Sequence, residues 1–351
     1  MKKIVIIFPF IFLHLLAFSQ KEWSNWYSNG AELLTFKNGV AEKVTNFITS
    51  IPPVPPFENY YHFSYWGNGG ISYSDPATGD MKFIISNRLG YGKDFKDFPN
   101  DTFIRSCPDQ KSYHIIPFQN DSNKFYVLQF QSAAADLLAQ ESGLQVRCPN
   151  AVGLAYSIVD LSKNGGLGDF VITNMPITGG LTEQLTLVRH SNGKDVWIIV
   201  HPYGTAQYHA ILVTDAGFQQ PVVSNIGGIV AGGFIGSHGN ITASHDGKLL
   251  AGCRSIAGTG GGGNIELFDF NNATGLLSNY RTLPSQEYVS KLQFSPDNSK
   301  LYAIGSDLFK PLIVQWDFNQ PNIAASKTIV VRNINTYMYD CLLYTSDAAD
   351  E

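Results

Sequence analysis

The side chains best suited to chemistry are five of the eight histidines, a glycine-rich run and an aromatic patch. His190, His201 and His209 fall in one stretch, and His238 and His245 in the next. None shows the His-x-x-x-His spacing that brings two imidazoles to one ion, and no carboxylate pair accompanies them, so no metal site is expected. His190 and His245 occupy equivalent places beside a repeated turn, which points to a turn or capping role. His201 and His209 flank the loop around Tyr203, and these three are candidates to line a ligand surface. The patch ENYYHFSYWGNGG contributes Tyr65 and Trp66, rings able to stack on a sugar or a peptide. Burial between packed sheets is the competing fate of those rings.

The run AGTGGGGN (257–264) is not a nucleotide cradle. A phosphate-binding loop needs a lysine followed by Ser or Thr at the start of a helix, and this run leads into the strand pattern IELFDF. Nor does DFNNATG (269–275) provide the alternating ligands and closing glutamate of a calcium loop; it suits a hairpin turn. The sequence contains no Gly-x-Ser-x-Gly nucleophile elbow. Asp160, Asp215, Asp269 and Asp317 each close a predicted third strand, and a recurring residue is better explained by a recurring turn than by one asymmetric active site. No catalytic residue and no cofactor is therefore expected.

What must position these residues is a repeat. LTLVRH–SNGK–DVWIIVH (185–201), NITASH–DGK–LLAGCRS (240–255) and SKLQFS–PDNSK–LYAIGS (290–306) are three hairpins, whose lysines Lys194, Lys248 and Lys300 are spaced by 54 and 52 residues. Asn192-Gly193 and Asp246-Gly247 are strong two-residue hairpin signals, which require positive φ at both positions. Each unit continues through a second-to-third strand loop (PYGTAQ, the glycine run, DLFK) into a second hairpin. Two earlier units, at 70–86 and 111–175, match more loosely. Four short strands recurring every 40–55 residues or so are the mark of a β-propeller. The expectation is an all-β propeller of four-stranded blades, with about five blades visible and a strand pair at 23–40 that would complete the blade begun at the C-terminal end. The whole would be a truncated seven-bladed ring, and the domain would span 20–340.

Composition agrees with such a chain. Hydrophobic residues make up 44% and aromatics 13%, enough for a large core, while the 33 glycines and 17 prolines are spread as turn formers. Charged residues reach only 15% and the net charge is −5, with no basic cluster, which argues against a nucleic-acid partner. Lys2-Lys3, an apolar run from Ile4 to Leu16 and Ala17-Phe18-Ser19 form a signal peptide over 1–19, too short to span a bilayer. No later segment is a transmembrane span. In an oxidising compartment Cys107 and Cys148 could be bridged, although pairing is not fixed by spacing. Cys253 lies in an apolar strand as a buried thiol. The terminal CLLYTSDAADE (341–351) resembles translated sequencing-adapter sequence and is expected to be a non-native tail.

The segments GLAYSIVDLSKNGGLGD, LVRHSNGKDVWIIVH, YHAILVTDAG, ELFDFNNATGLLSN and LQFSPDNSKLYAIGS resemble a group of exported, WD-repeat-like propeller proteins of Bacteroidetes. In that group PKD-type modules or a type IX secretion sorting domain often follow the propeller. The resemblance covers most of 23–338 and implies a scaffold more than an activity. It implies display at the cell surface, and the leading expectation is a non-catalytic propeller that binds a protein or glycan ligand there. The rival is a propeller hydrolase or lyase acting on a polysaccharide or lactone. By the same resemblance, the second-to-third strand loops would lie on the face where ligands enter the channel, together with the insert 131–153.

Overall fold

Short alternating strands cut by turn formers bury little surface singly, so a chain of them gains a core only by stacking small sheets. The computed structural model describes residues 71–86, 89–100, 113–130, 153–231, 239–254, 264–285, 287–307 and 310–332, with the strand backbone of 25–28, 32–35 and 42–43. The signal-peptide span, the tail, Tyr65, Trp66, Cys107, Cys148 and the glycines of 258–263 lie outside the described residues.

Six antiparallel sheets follow one another along the described chain. The first holds β1 (Asn25–Ser28), β2 (Glu32–Thr35) and β3 (Glu42–Lys43), and the second β4 (Ile71–Ser74), β5 (Met81–Ser86) and β6 (Leu89–Gly92). The third is β7 (Tyr113–Pro117), β8 (Lys124–Phe130), β9 (Leu154–Asp160) and β10 (Asp169–Thr178). The fourth is β11 (Leu181–Arg189), β12 (Val196–Pro202) and β13 (Gln207–Thr214), with its last strand split into β14 (Gly217–Phe218) and β15 (Val222–Asn225). The fifth is β16 (Gly239–Ala243), β17 (Leu249–Arg254), β18 (Ile265–Asn271) and β19 (Leu276–Leu283). The sixth is β20 (Tyr288–Phe294), β21 (Lys300–Asp307), β22 (Lys310–Asp317) and β23 (Thr328–Arg332).

Strand order follows chain order within each sheet, and first strands lie against first strands: β1 by β4, β4 by β7, β11 by β16 and β16 by β20. That is a radial stack, and the chain is a β-propeller built of four-stranded blades. The N-terminal strand pair differs from expectation in one respect. With β3 it forms a sheet of its own, whose inner strand β1 neighbours β4. The loop expected at DLFK also shrinks, because β21 runs to Asp307 and β22 starts at Lys310.

Each pair of neighbouring blades from the second to the sixth sheet shares its own apolar core. Leu185, Ile198 and Val200 of the fourth sheet pack on Tyr126, Leu128 and Phe130 of the third. Trp197, Ile199 and Tyr208 face the other way, onto Leu250, Phe268 and Phe270 of the fifth. Alternation thus sends neighbouring residues of one strand to two different blades. Trp316, Phe294 and Leu301 of the sixth sheet close the last of these cores against Ala251, Ile265 and Leu267. Each such fully buried side chain contributes roughly 1.5–3 kcal/mol relative to exposure. Cys253 is buried in this core, as its apolar strand requires.

In a meander, the first-to-second and third-to-fourth turns gather at one end of every sheet. The second-to-third loops and the connections to the next blade gather at the other. At the turn end only one residue of each hairpin is left-handed: Gly193 (φ 71), Gly247 (φ 66) and Asn298 (φ 59). Asn192, Asp246 and Asp297 do not need positive φ, because these turns are longer than two residues and are held by side chains. Asn192 Oδ1 accepts the amides of Lys194 and Asp195 at 2.9 and 3.0 Å. Asp246 Oδ1 accepts Lys248 N–H at 3.1 Å, and Asp297 Oδ1 accepts Ser299 N–H at 3.0 Å. Those bonds, with Ser295 Oγ donating first among them, hold the Asp297 carboxyl down at about 2.

Candidate functional site

The loop between β12 and β13 exists because Gly204 takes φ 77 and Thr205 Oγ1 donates to Pro202 O at 2.9 Å. Its backbone is tied on both sides. Tyr203 N–H donates to Gly180 O, on the connection entering the sheet, and Gly204 N–H to Val230 O, on the connection leaving it, each at 2.8 Å. Tyr203 is half-buried.

His201 does not line an open surface. It is in phase with Trp197 and Ile199 on β12, so its ring turns inward between the fourth and fifth sheets and is fully buried. Nδ1 lies 2.9 Å from Pro202 O and Nε2 3.3 Å from Gly228 O. The ring meets Tyr208 edge-on, with centroids 4.6 Å apart. His209, one step along β13, faces the third sheet instead. It is half-buried, and burial pulls its imidazole below the ordinary 6.5.

Beside His201 lies a group that the sequence did not single out. Glu266, second residue of β18, is only 1% exposed. Its Oε1 accepts Gly228 N–H at 2.9 Å and the Tyr280 hydroxyl at 3.1 Å, while Oε2 stands 3.3 Å from the Tyr208 hydroxyl. Tyr208 also reaches Gln184 Oε1 at 3.0 Å, and Gln184 Nε2 donates to Cys253 O at 2.8 Å. Three strands and one inter-blade connection are therefore joined through one buried carboxyl group with both oxygens engaged, as burial of a polar group requires. The signal was present: in IELFDF, Glu266 is in phase with Phe268 and Phe270, which face the fourth sheet.

On the opposite face of β13, the one turned toward the third sheet, Gln207 and His209 are half-buried and Asn225 across the ladder is exposed. Gln207 Nε2 donates to Asn225 Oδ1 at 2.7 Å, and His209 Nε2 stands 3.4 Å from Gln207 Oε1. Gln207 is directly opposite Asn225 and His209 directly opposite Val223 in the β13–β15 ladder.

The recurring acids serve turns and blade contacts. Asp160 Oδ1 accepts both N–H and hydroxyl of Ser162, and Asp317 pairs with Lys300 Nζ at 2.7 Å. Asp269 pairs with Arg281 at 2.8 Å; burial opposes its charge, yet Arg281 and Asn279 hold its carboxyl below the usual value. Asp215 reaches the preceding blade and accepts the amides of Gln119 and Asn120, each at 2.7 Å. His190 does the same from the other side. Asn192 N–H donates to its Nδ1 at 3.0 Å, which leaves Nε2 to donate to Ala273 O at 3.2 Å. Among the described residues, no group of three or more His, Cys, Asp or Glu side chains is placed to hold a metal ion. No helix among them is long and apolar enough to cross a membrane.

No protein-family model and no curated protein matches this chain. Similar solved structures do exist. A protein from Lactobacillus plantarum is 12% identical with a TM-score of 0.47, over 88% of this chain and 80% of that one. A candidate 6-phosphogluconolactonase of Bacteroides uniformis is 16% identical with a TM-score of 0.43, over 75% and 79%. An oligogalacturonate lyase in complex with manganese is 13% identical with a TM-score of 0.43, over 89% and 75%. The blade assignment rests on the strand order and register given above.

Proposed function

We propose that this chain is a non-catalytic, exported propeller of the WD-repeat-like kind that binds a protein or glycan ligand at the cell surface through the loop end of its blades. One observation carries the reading. At the loop end of the fourth and fifth sheets, the buried ionisable groups His201 and Glu266 are engaged by backbone and tyrosine partners. Among the described residues there, the neutral side chains of Gln207, Asn225, Tyr203 and Tyr280 reach solvent, Tyr280 being 42% exposed, beside Glu183, whose Oε2 accepts Gly239 N–H at 3.4 Å. Neutral amides and tyrosine edges held on a rigid frame suit recognition, which needs placed donors, acceptors and flat apolar surface. The signal-peptide pattern supports export, and the sequence resemblance supports surface display linked to type IX secretion or gliding.

The test is a binding and turnover screen of the purified mature chain against glycan arrays, with and without added divalent metal. Saturable binding without product is the expected result. Metal-dependent cleavage of a polysaccharide or opening of a lactone would replace this reading with the hydrolase or lyase one.

A further inference from the structure

We propose that the ladder His209–Gln207–Asn225 on the third and fourth strands of the fourth sheet is a subsite for a neutral saccharide. This rests on the binding reading above and narrows it to a place and a ligand class.

The ladder has a direction. Gln207 Nε2 donates to Asn225 Oδ1 at 2.7 Å, which fixes Gln207 Oε1 as the atom facing His209. His209 Nε2 then carries the proton at that 3.4 Å contact, and Nδ1 is left as a bare acceptor. Burial pulls the imidazole below its ordinary 6.5, so the ring is neutral near pH 7 and Nδ1 keeps its lone pair. At the other end both Asn225 Nδ2 hydrogens have no partner among the described residues. The array therefore offers an acceptor at one end and donors at the other, separated by two residues along the strand and one strand across, about 8 Å. A hydroxyl both donates and accepts, so hydroxyls on one or two adjacent sugar rings match this pattern.

The surroundings supply an apolar wall. Val223, opposite His209, is 40% exposed. Met175 of β10 is 45% exposed and pairs with Tyr156, which packs at the edge of the core shared by the third and fourth sheets. Strand register thus puts Met175 and the ladder on sheet faces turned toward each other. Neither the ladder nor this wall carries a formal charge, so uronates and sialylated sugars gain no ion pair here. An extended peptide is the poorer fit. Pairing by strand addition needs a long free edge, and the outer strand β15 has only four residues.

The experiment measures affinities of the mature chain and of Gln207→Ala and Asn225→Ala for neutral glucans, mannans and galactans and for polygalacturonate. Thermal melts of each variant accompany the titrations. The expected result is binding of a neutral glycan by the parent chain and a loss of about tenfold or more in each variant, with melting unchanged. A His209→Gln change, which keeps one donor and one acceptor, should retain more affinity than His209→Ala. Full affinity in both alanine variants overturns the subsite while leaving the binding reading intact. A preference for polygalacturonate overturns the neutral class. Capture of a protein ligand with no glycan bound removes this inference but not the broader one, and turnover removes both.

Discussion

The two ends of the blades are built by different rules. At the turn end, one device recurs. A left-handed residue at Gly193, Gly247 or Asn298 follows an Asn or Asp side chain that ties the turn. Neighbouring blades are then pinned there by contacts of similar kind. Ser191 N–H of the turn before β12 and Trp197 Nε1 at the start of β12 both donate to Asn272 O, and the turn before β8 donates to Asp215. At the loop end nothing described recurs in this way. His201, Tyr208, Gln184 and Glu266 meet once, between the fourth and fifth sheets, and the ladder on the other face of β13 is likewise single. Repetition marks the scaffold, and the single arrangements at the loop end are where the proposed binding surface lies.

The sharpest way to test this contrast is Glu266→Ala. It removes the acceptor of Gly228 N–H and of the Tyr280 hydroxyl and leaves Tyr208 only Gln184, a loss expected to cost about 2–3 kcal/mol. Urea unfolding should show that loss, and a change under about 1 kcal/mol would mean that the loop end is not held by this network. Next in size is Gly275→Ala at the turn end. Gly275 sits at φ 77, and an added Cβ would lie 2.8 Å from the Trp197 ring, so both strain and overlap oppose it. A cost of about 2 kcal/mol is expected, with ligand affinity untouched.

Asp215→Ala should follow, at about 1–2 kcal/mol, since two amides lose a charged acceptor near solvent. Its recovery in Asp215→Asn should be partial, because one amide oxygen serves two donors less well than a carboxylate. The smallest effect is the pH response of Glu287, on the connection into the sixth sheet. Burial opposes its charge, but Lys327 and Ser285 outweigh that and hold its carboxyl below the ordinary 4.5. The unfolded glutamate therefore takes its proton first as pH falls. The stabilisation is whole above about pH 4.5 and fades as pH drops toward the folded value. Glu287→Gln should flatten the acid limb of a stability–pH curve, and an unaltered slope would remove Glu287 from the account.

Much of the scaffold was legible because its causes are local. A Gly or Asn after a turn-forming Asn or Asp, between alternating apolar runs, reads as a hairpin wherever it falls, and its return at near-constant spacing reads as a blade. The histidine at 190 was equally legible as a turn residue, since its partners are its own turn and the next hairpin. His201 was misplaced when read by its proximity to a loop. The alternation Trp197, Ile199, His201 already assigned it to an inward face. Glu266 escaped notice because a lone acid in an apolar strand gives no sign of its partners. Those partners lie 38, 58 and 14 residues away in sequence, at Gly228, Tyr208 and Tyr280.

Sequence by itself determined the all-β class, the four-strand unit, the turns that divide it and the buried state of Cys253, because period-two alternation and left-handed turn positions act within a few residues. Tertiary structure alone decided which blade each face meets, that β1–β3 forms a sheet of its own, and that His201 and Glu266 are held between the fourth and fifth sheets while Gln207 and His209 stand half-buried on the other face of β13 beside the exposed Asn225. Those outcomes depend on how neighbouring sheets stack. A one-residue difference in position along a strand moves a side chain from one blade interface to the next.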